Sequence, residues 1–200
     1  MMSNPQHLIH TIQQAFSGVT LGNGIGLSEG NAMDDYAPAE EHARCRKQDE
    51  QTHWYKIPIE LLNQYYVALC YFDPEGMRFH LPAFLIADLQ GLFRFDLVYT
   101  FIHLDRYKEQ QFSLLNAQQK QTVAQYLRWI LADPSHHTTA DDTTAIEEAL
   151  LLFWEEYNII NIEDECLITI TYIHGYYQFY SSVVYLAAAD ISHPLLPERR

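Results

Sequence analysis

Apolar residues recur at spacings of three, four and seven over most of the chain, the signature of helices with one buried face. The densest pattern is 73–91, D-P-E-G-M-R-F-H-L-P-A-F-L-I-A-D-L-Q-G. Asp73 is placed to cap free backbone N–H groups, Pro74 suits a first helical turn, and Gly91 suits the stop. Between them Met77, Leu81, Phe84 and Leu85 share a stripe that Phe79 and Ile86 widen. A helix apolar on most faces belongs in the middle of a core. Pro82 in its interior removes a backbone hydrogen bond and crowds the carbonyl of Arg78, which predicts a kink or break.

Other stretches read by the same rule. Residues 6–17 predict a helix through Leu8, Ile9, Ile12 and Phe16, stopped by Gly18. Residues 18–30 read as a loop by their glycines. Their G-N-G-I-G superficially resembles a nucleotide-binding loop, but no buried strand precedes it and polar Ser28-Glu29-Gly30 follows, so turn-forming glycine is the better account. A polar helix interrupted near Pro38 is expected over 31–50. Further helices are expected over 54–69, over 113–131 with Asn116 as cap, and over 143–157 with Ile146, Leu150, Phe153, Trp154 and Tyr157 on the buried side. Residues 133–142 read as a loop.

Two stretches change period. Phe93, Phe95, Leu97, Tyr99 and Phe101 alternate with their neighbours, the pattern of a half-buried strand over 93–102. Residues 166–189 carry no Asp, Glu, Lys or Arg for 24 positions. Their polar residues and acidic flanks argue against a membrane span. A turn at His174-Gly175 sorts 167–173 and 176–184 into a hairpin, with a helix from Tyr176 onward as the alternative. The fold class expected is therefore α+β: a mainly helical single domain, 1–200, around a Pro-kinked core helix at 73–91. A small antiparallel sheet of 93–102, 167–173 and 176–184 completes it.

Charge sharpens this picture. The net formal charge is −14. Residues 1–43 hold five acids and no Lys or Arg, and 44–128 are nearly neutral. Residues 129–198 hold twelve acids and again no Lys or Arg. Such a C-terminal third repels nucleic acid and anionic membrane, and attracts a basic protein over a Debye length of about 8 Å. Cys45, Cys70 and Cys166 are few and far apart, which suits reduced thiols in a cytoplasmic protein. No signal peptide is visible in the first residues.

The chemistry-bearing motifs are sparse. There is no G-x-S-x-G elbow, Walker loop, H-E-x-x-H or C-x-x-C, so no cofactor and no metal site is expected. Glu50-x-x-His53 occurs once, where a di-iron site needs the motif twice. His80 reads first as a satisfied core histidine. Arg78 can pair with Glu75 one turn earlier if exposed. If buried, it needs an acid, and Asp34 or Asp35 is the candidate. Glu148 and Glu155, seven apart on the helix expected over 143–157, share a face with Asp141 if that helix starts early enough, and like charges there could be kept for a cationic partner.

The phrases L-G-N-G-I-G-L-S-E-G-N-A-M-D-D-Y (21–36), W-Y-K-I-P-I-E-L-L-N (54–63), F-D-P-E-G-M-R-F-H-L-P-A-F-L-I-A-D-L (72–89) and F-S-L-L-N-A-Q-Q-K (112–120) resemble one bacterial domain-of-unknown-function family. The resemblance covers about 8–131 and implies no activity or catalytic residue, leaving 132–200 as an acidic C-terminal extension. Three functions are consistent with the whole. The first is a cytoplasmic, non-enzymatic acidic module that binds a basic protein, such as an immunity or antitoxin-type inhibitor. The second is a small enzyme with a pocket near Arg78 and His80. The third is a structural or oligomerisation protein using its tyrosine-rich hairpin as an edge strand.

Overall fold

A computed structural model describes residues 5–133, 139–155, 159–162 and 165–168. The chain divides into two compact units, Met1–Glu155 and Glu156–Arg200. The first is helical: α1 (Pro5–Ala15), α2 (Leu27–Asp34), α3 (Ala39–Gln48), α4 (Ile59–Gln64), α5 (Pro74–Leu89), α6 (Tyr99–Ile102), α7 (Arg106–Gln111), α8 (Ala117–Ala132) and α9 (Ala140–Ala149). Short 3₁₀ turns at Trp54–Lys56 and Tyr66–Cys70 flank α4, and a π-helical turn, Leu150–Trp154, ends α9.

Helix α5 is the centre, as its pattern requires. Met77, Phe79, His80, Leu81, Phe84 and Leu85 are fully buried, and α1, α4, α7 and the 54–56 turn pack around them. Each such apolar side chain contributes about 1.5–3 kcal/mol of burial. Asp73 caps the helix, its Oδ1 accepting from the Gly76 amide at 2.8 Å, and Pro74 opens the first turn. The helix runs unbroken through Pro82, so no break occurs there. At its end the amide of Leu92 donates to Ala87 O and that of Gly91 to Asp88 O, while Gly91 takes a left-handed φ of 67°. This is a Schellman stop.

Side chains from distant helices satisfy the open backbone ends. The last carbonyls of α1 lack helical donors. Gln119 Nε2 reaches Ala15 O at 3.1 Å and the Trp54 indole reaches Phe16 O at 3.0 Å. Gln111 Nε2 donates to Phe72 O at 2.6 Å, and the Trp154 indole to Phe101 O at 3.0 Å. Tyr126 donates to Asp88 at 2.6 Å, and burial with that carboxylate pushes its phenol well above the usual range.

Three expectations are corrected. The predicted α+β class gives way to a mainly helical protein, because 93–102 is not a strand. Residues 93–98 are loop and turn, and α6 begins at Tyr99. Phe93, Leu97 and Phe101 are buried while Phe95 and Tyr99 are exposed, so the true period is four, hidden inside an apparent period of two. Second, the glycine loop is shorter than 18–30, because α2 opens directly after Gly26. Third, the helix of 143–157 starts earlier, at Ala140 with Thr139 as cap, and gives way at Leu150 to the π turn.

The second unit is described only at Ile159–Ile162 and Glu165–Ile168, an antiparallel pair in which Ile159 faces Ile168. This pairing is not the predicted sheet, which lacks its 93–102 strand. The rest of 167–173 and all of 176–184 lie outside the described residues. Among the described residues, no helix is long and apolar enough to cross a membrane.

Candidate functional site

The residues singled out from the sequence fall in three places. The first is the start of α5, against which the glycine loop is packed. Asp73 Oδ1 accepts from Ile25 N at 3.0 Å as well as from Gly76 N. A Cβ on Gly76 would lie 2.5 Å from Ile25 O, and one on Gly24 would lie 2.5 Å from Gly76 N, so two backbones touch here and side chains are excluded. The free amides at the start of α2 are occupied: Asp49, from the end of α3, accepts from Ser28 N at 2.9 Å and Glu29 N at 3.2 Å. Glu29 is buried and its Oε2 accepts from Gly26 N and, at 2.8 Å, from Arg46 Nε. A loop that looks able to hold an anion is thus filled by the protein's own carboxylates.

His80 lies one turn into this region and is fully buried. Its ring stacks on Phe72 at 4.4 Å and meets Phe79 edge-on. Nδ1 is 2.8 Å from Gly76 O, an acceptor only, so Nδ1 carries the proton and Nε2 presents a lone pair. Burial lowers the pKa to about 4, and the imidazole is neutral at pH 7. Arg78 is half-buried, and its Nε has no hydrogen-bond partner among the described residues. It forms no ion pair with Glu75, Asp34 or Asp35. Asp34 instead accepts from the Tyr71 hydroxyl at 2.8 Å, which raises that phenol to about 12, and Asp35 accepts from Asn31.

The third place is α9. Asp141 and Glu148 are exposed and, with Glu147, belong to no ion pair among the described residues. Glu155 does not share their helix. It follows the π turn and pairs with Arg128 of α8 at 2.6 Å. The predicted stripe of three acids is therefore two, with the third neutralised.

Sequence reasoning missed another arrangement. Ile59, Glu60, Asn63 and Gln64 of α4 face Leu92, Arg94 and Phe95 across an open groove of about 450 Å³. Asn63 builds it, donating to Ile59 O and Leu92 O and accepting from the Arg94 amide at 2.9 Å. The Phe95 ring stacks on Tyr66 at 3.5 Å. A second groove of about 550 Å³, lined by Ser17, Thr20, Thr52, His53 and Tyr55 among others, lies beside the end of α1. Neither is lined by Arg78 or His80. Among the described residues no three His, Cys, Asp or Glu side chains gather closely enough to hold a metal ion. Glu50 engages the amides of Thr52 and His53.

These features define an acidic, mainly helical protein whose most distinctive sequence lies in its structural centre. The chain belongs to a family of unknown function, DUF6714, whose family model matches residues 4–158. That match reaches past 131 to include α9 and the π turn, so Asp141, Glu148 and Glu155 lie inside the family region. Comparison with curated proteins and with solved structures finds no match.

Proposed function

We propose that the protein is a non-enzymatic binding module whose acidic C-terminal third engages a basic protein. The observation that supports this most is the partition of charge: residues 129–198 carry twelve acids and no Lys or Arg. On α9, Asp141, Glu147 and Glu148 stand exposed and belong to no ion pair among the described residues, which leaves their field directed at solvent and at any basic partner. An inhibitor of a basic nuclease toxin, working in the cytoplasm, is one example of such a module. The test is capture from the native host at low and high salt, with the wild type and an Asp141→Lys/Glu148→Lys double variant. A basic protein retained at low salt, released at high salt and lost by the variant is expected. Equal capture by both forms, or salt-insensitive capture, overturns the reading.

A further inference from the structure

The groove between α4 and the 92–95 loop carries charges of both signs that do not neutralise each other. Glu60 and Arg94 line it together and are exposed, yet neither belongs to an ion pair among the described residues. The groove is also held in shape. Asn63 ties the backbone on both sides of Arg94's approach, the left-handed Gly91 turns the chain back toward α4, and the Tyr66–Phe95 stack forms a firm flank. Ile59, Leu92 and Phe95 supply the apolar surface, and Gln64 adds an amide. A volume of about 450 Å³ lies within the range of small-ligand sites, roughly 300–1,000 Å³.

We propose that this groove binds a zwitterion of amino-acid type with an apolar side chain. The Glu60 carboxylate accepts from the ligand's ammonium, the Arg94 guanidinium forks onto its carboxylate, and the side chain lies on Leu92 and Phe95. A simple anion would be repelled by Glu60 and a simple cation by Arg94. A neutral apolar molecule would engage neither charge, leaving both to water. Only a ligand with both charges and an apolar part meets every group, and Arg geometry suits a carboxylate in particular. The site is separate from the acidic face of α9 and does not depend on its role.

The test is an amide-resonance titration of the full chain with L-phenylalanine, the dipeptide Gly-Phe and N-acetyl-L-phenylalanine amide, each to about 10 mM. Saturable shifts at residues 92–95 and at the Asn63 side chain are expected with L-phenylalanine if free amino acids are the ligand class. They are expected with Gly-Phe alone if peptides are. The doubly capped compound, lacking both charges, leaves these resonances in place. Glu60→Gln and Arg94→Gln each weaken binding by roughly 5-fold or more, with the thermal midpoint unchanged because both side chains are exposed. No shift with any compound, equal shifts with the capped compound, or unchanged binding in both variants overturns the proposal.

Discussion

The carboxylate of Asp73 and the amide of Ile25, 48 residues apart in sequence, meet at 3.0 Å, and the same oxygen caps α5 through Gly76. One atom therefore starts the central helix and fastens the glycine loop to it. Asp73→Ala removes a cap and leaves a second amide without its acceptor, at a cost of about 2–3 kcal/mol. Asp73→Asn retains a side-chain oxygen and costs less than about 1 kcal/mol. Urea unfolding of the two variants checks this; an Ala variant as stable as wild type would show that the shared acceptor contributes nothing.

Gly76→Ala sets two effects against each other. Helix propensity favours alanine by about 1 kcal/mol. The added Cβ would sit 2.5 Å from Ile25 O, a backbone atom with little room to move, and overpacking of this kind costs about 1–3 kcal/mol. Because the atom met is backbone, packing wins, and a net loss of up to about 2 kcal/mol is expected in the same unfolding assay.

His80 gives the fold an acid limit. Its folded pKa is lowered from 6.5 to about 4, so between these values the unfolded chain takes up a proton that the folded chain does not. The stability from keeping it neutral is complete above pH 6.5 and is lost as pH falls toward 4. The total is about 3 kcal/mol by linkage. Unfolding free energies of wild type and His80→Phe, measured from pH 7 to 4, should show wild type losing that amount relative to the variant as pH falls. Parallel curves would refute the assignment.

Helices α2 and α5 end in the same hydrogen-bond pattern with different residues at the left-handed position. In α2 the amide of Ala37 donates to Ala32 O and that of Tyr36 to Met33 O, with Tyr36 at φ 54°. In α5 the equivalent residue is Gly91. Tyr36 is almost wholly exposed and packs on nothing that would offset the strain of its Cβ. Tyr36→Gly is expected to stabilise the protein by about 1 kcal/mol, visible as a higher melting temperature. A drop instead would mean that Tyr36 makes a contact that stabilises the fold.

Trp154 tests whether α9 and the π turn belong to the helical core. It is buried against Phe101 and Phe112 and donates to Phe101 O. Trp154→Ala should cost about 3–5 kcal/mol, the size expected for emptying a packed site. A cost below about 1 kcal/mol would make this segment a loosely attached appendage.

What could be read from the sequence was local. Asp73, Pro74 and Gly91 mark the ends of α5 by their own backbone chemistry, and Asn116 caps α8 as its position suggests. The failures came where one pattern has two physical causes. Phe93, Leu97 and Phe101 point inward at every fourth position, and the exposed Phe95 and Tyr99 between them imitate strand alternation. The groove was illegible for a different reason. Glu60, Asn63 and Arg94 are ordinary surface residue types, and only the folding of the 91–95 segment onto α4 gives them a common face. Likewise, nothing local told that Arg128 would claim Glu155 and remove it from the acidic set.

The contact between Gly24 and Gly76 bears on where this chain can be cut or extended. Glycine-rich segments are the usual choice for inserting a tag or a reporter, because flexible surface turns accept extra residues. Residues 24–26 would be a poor choice, since Gly24 and Ile25 are pressed against the first turn of α5 and Gly26 against the Asp49 side chain. The turn at 35–38 is the better site: Asp35, Tyr36 and Pro38 are exposed, and the helix start that Asp49 caps lies at the other end of α2. The stretch that looks like a hinge is the weld, and the stretch that holds a tyrosine and a proline is the seam.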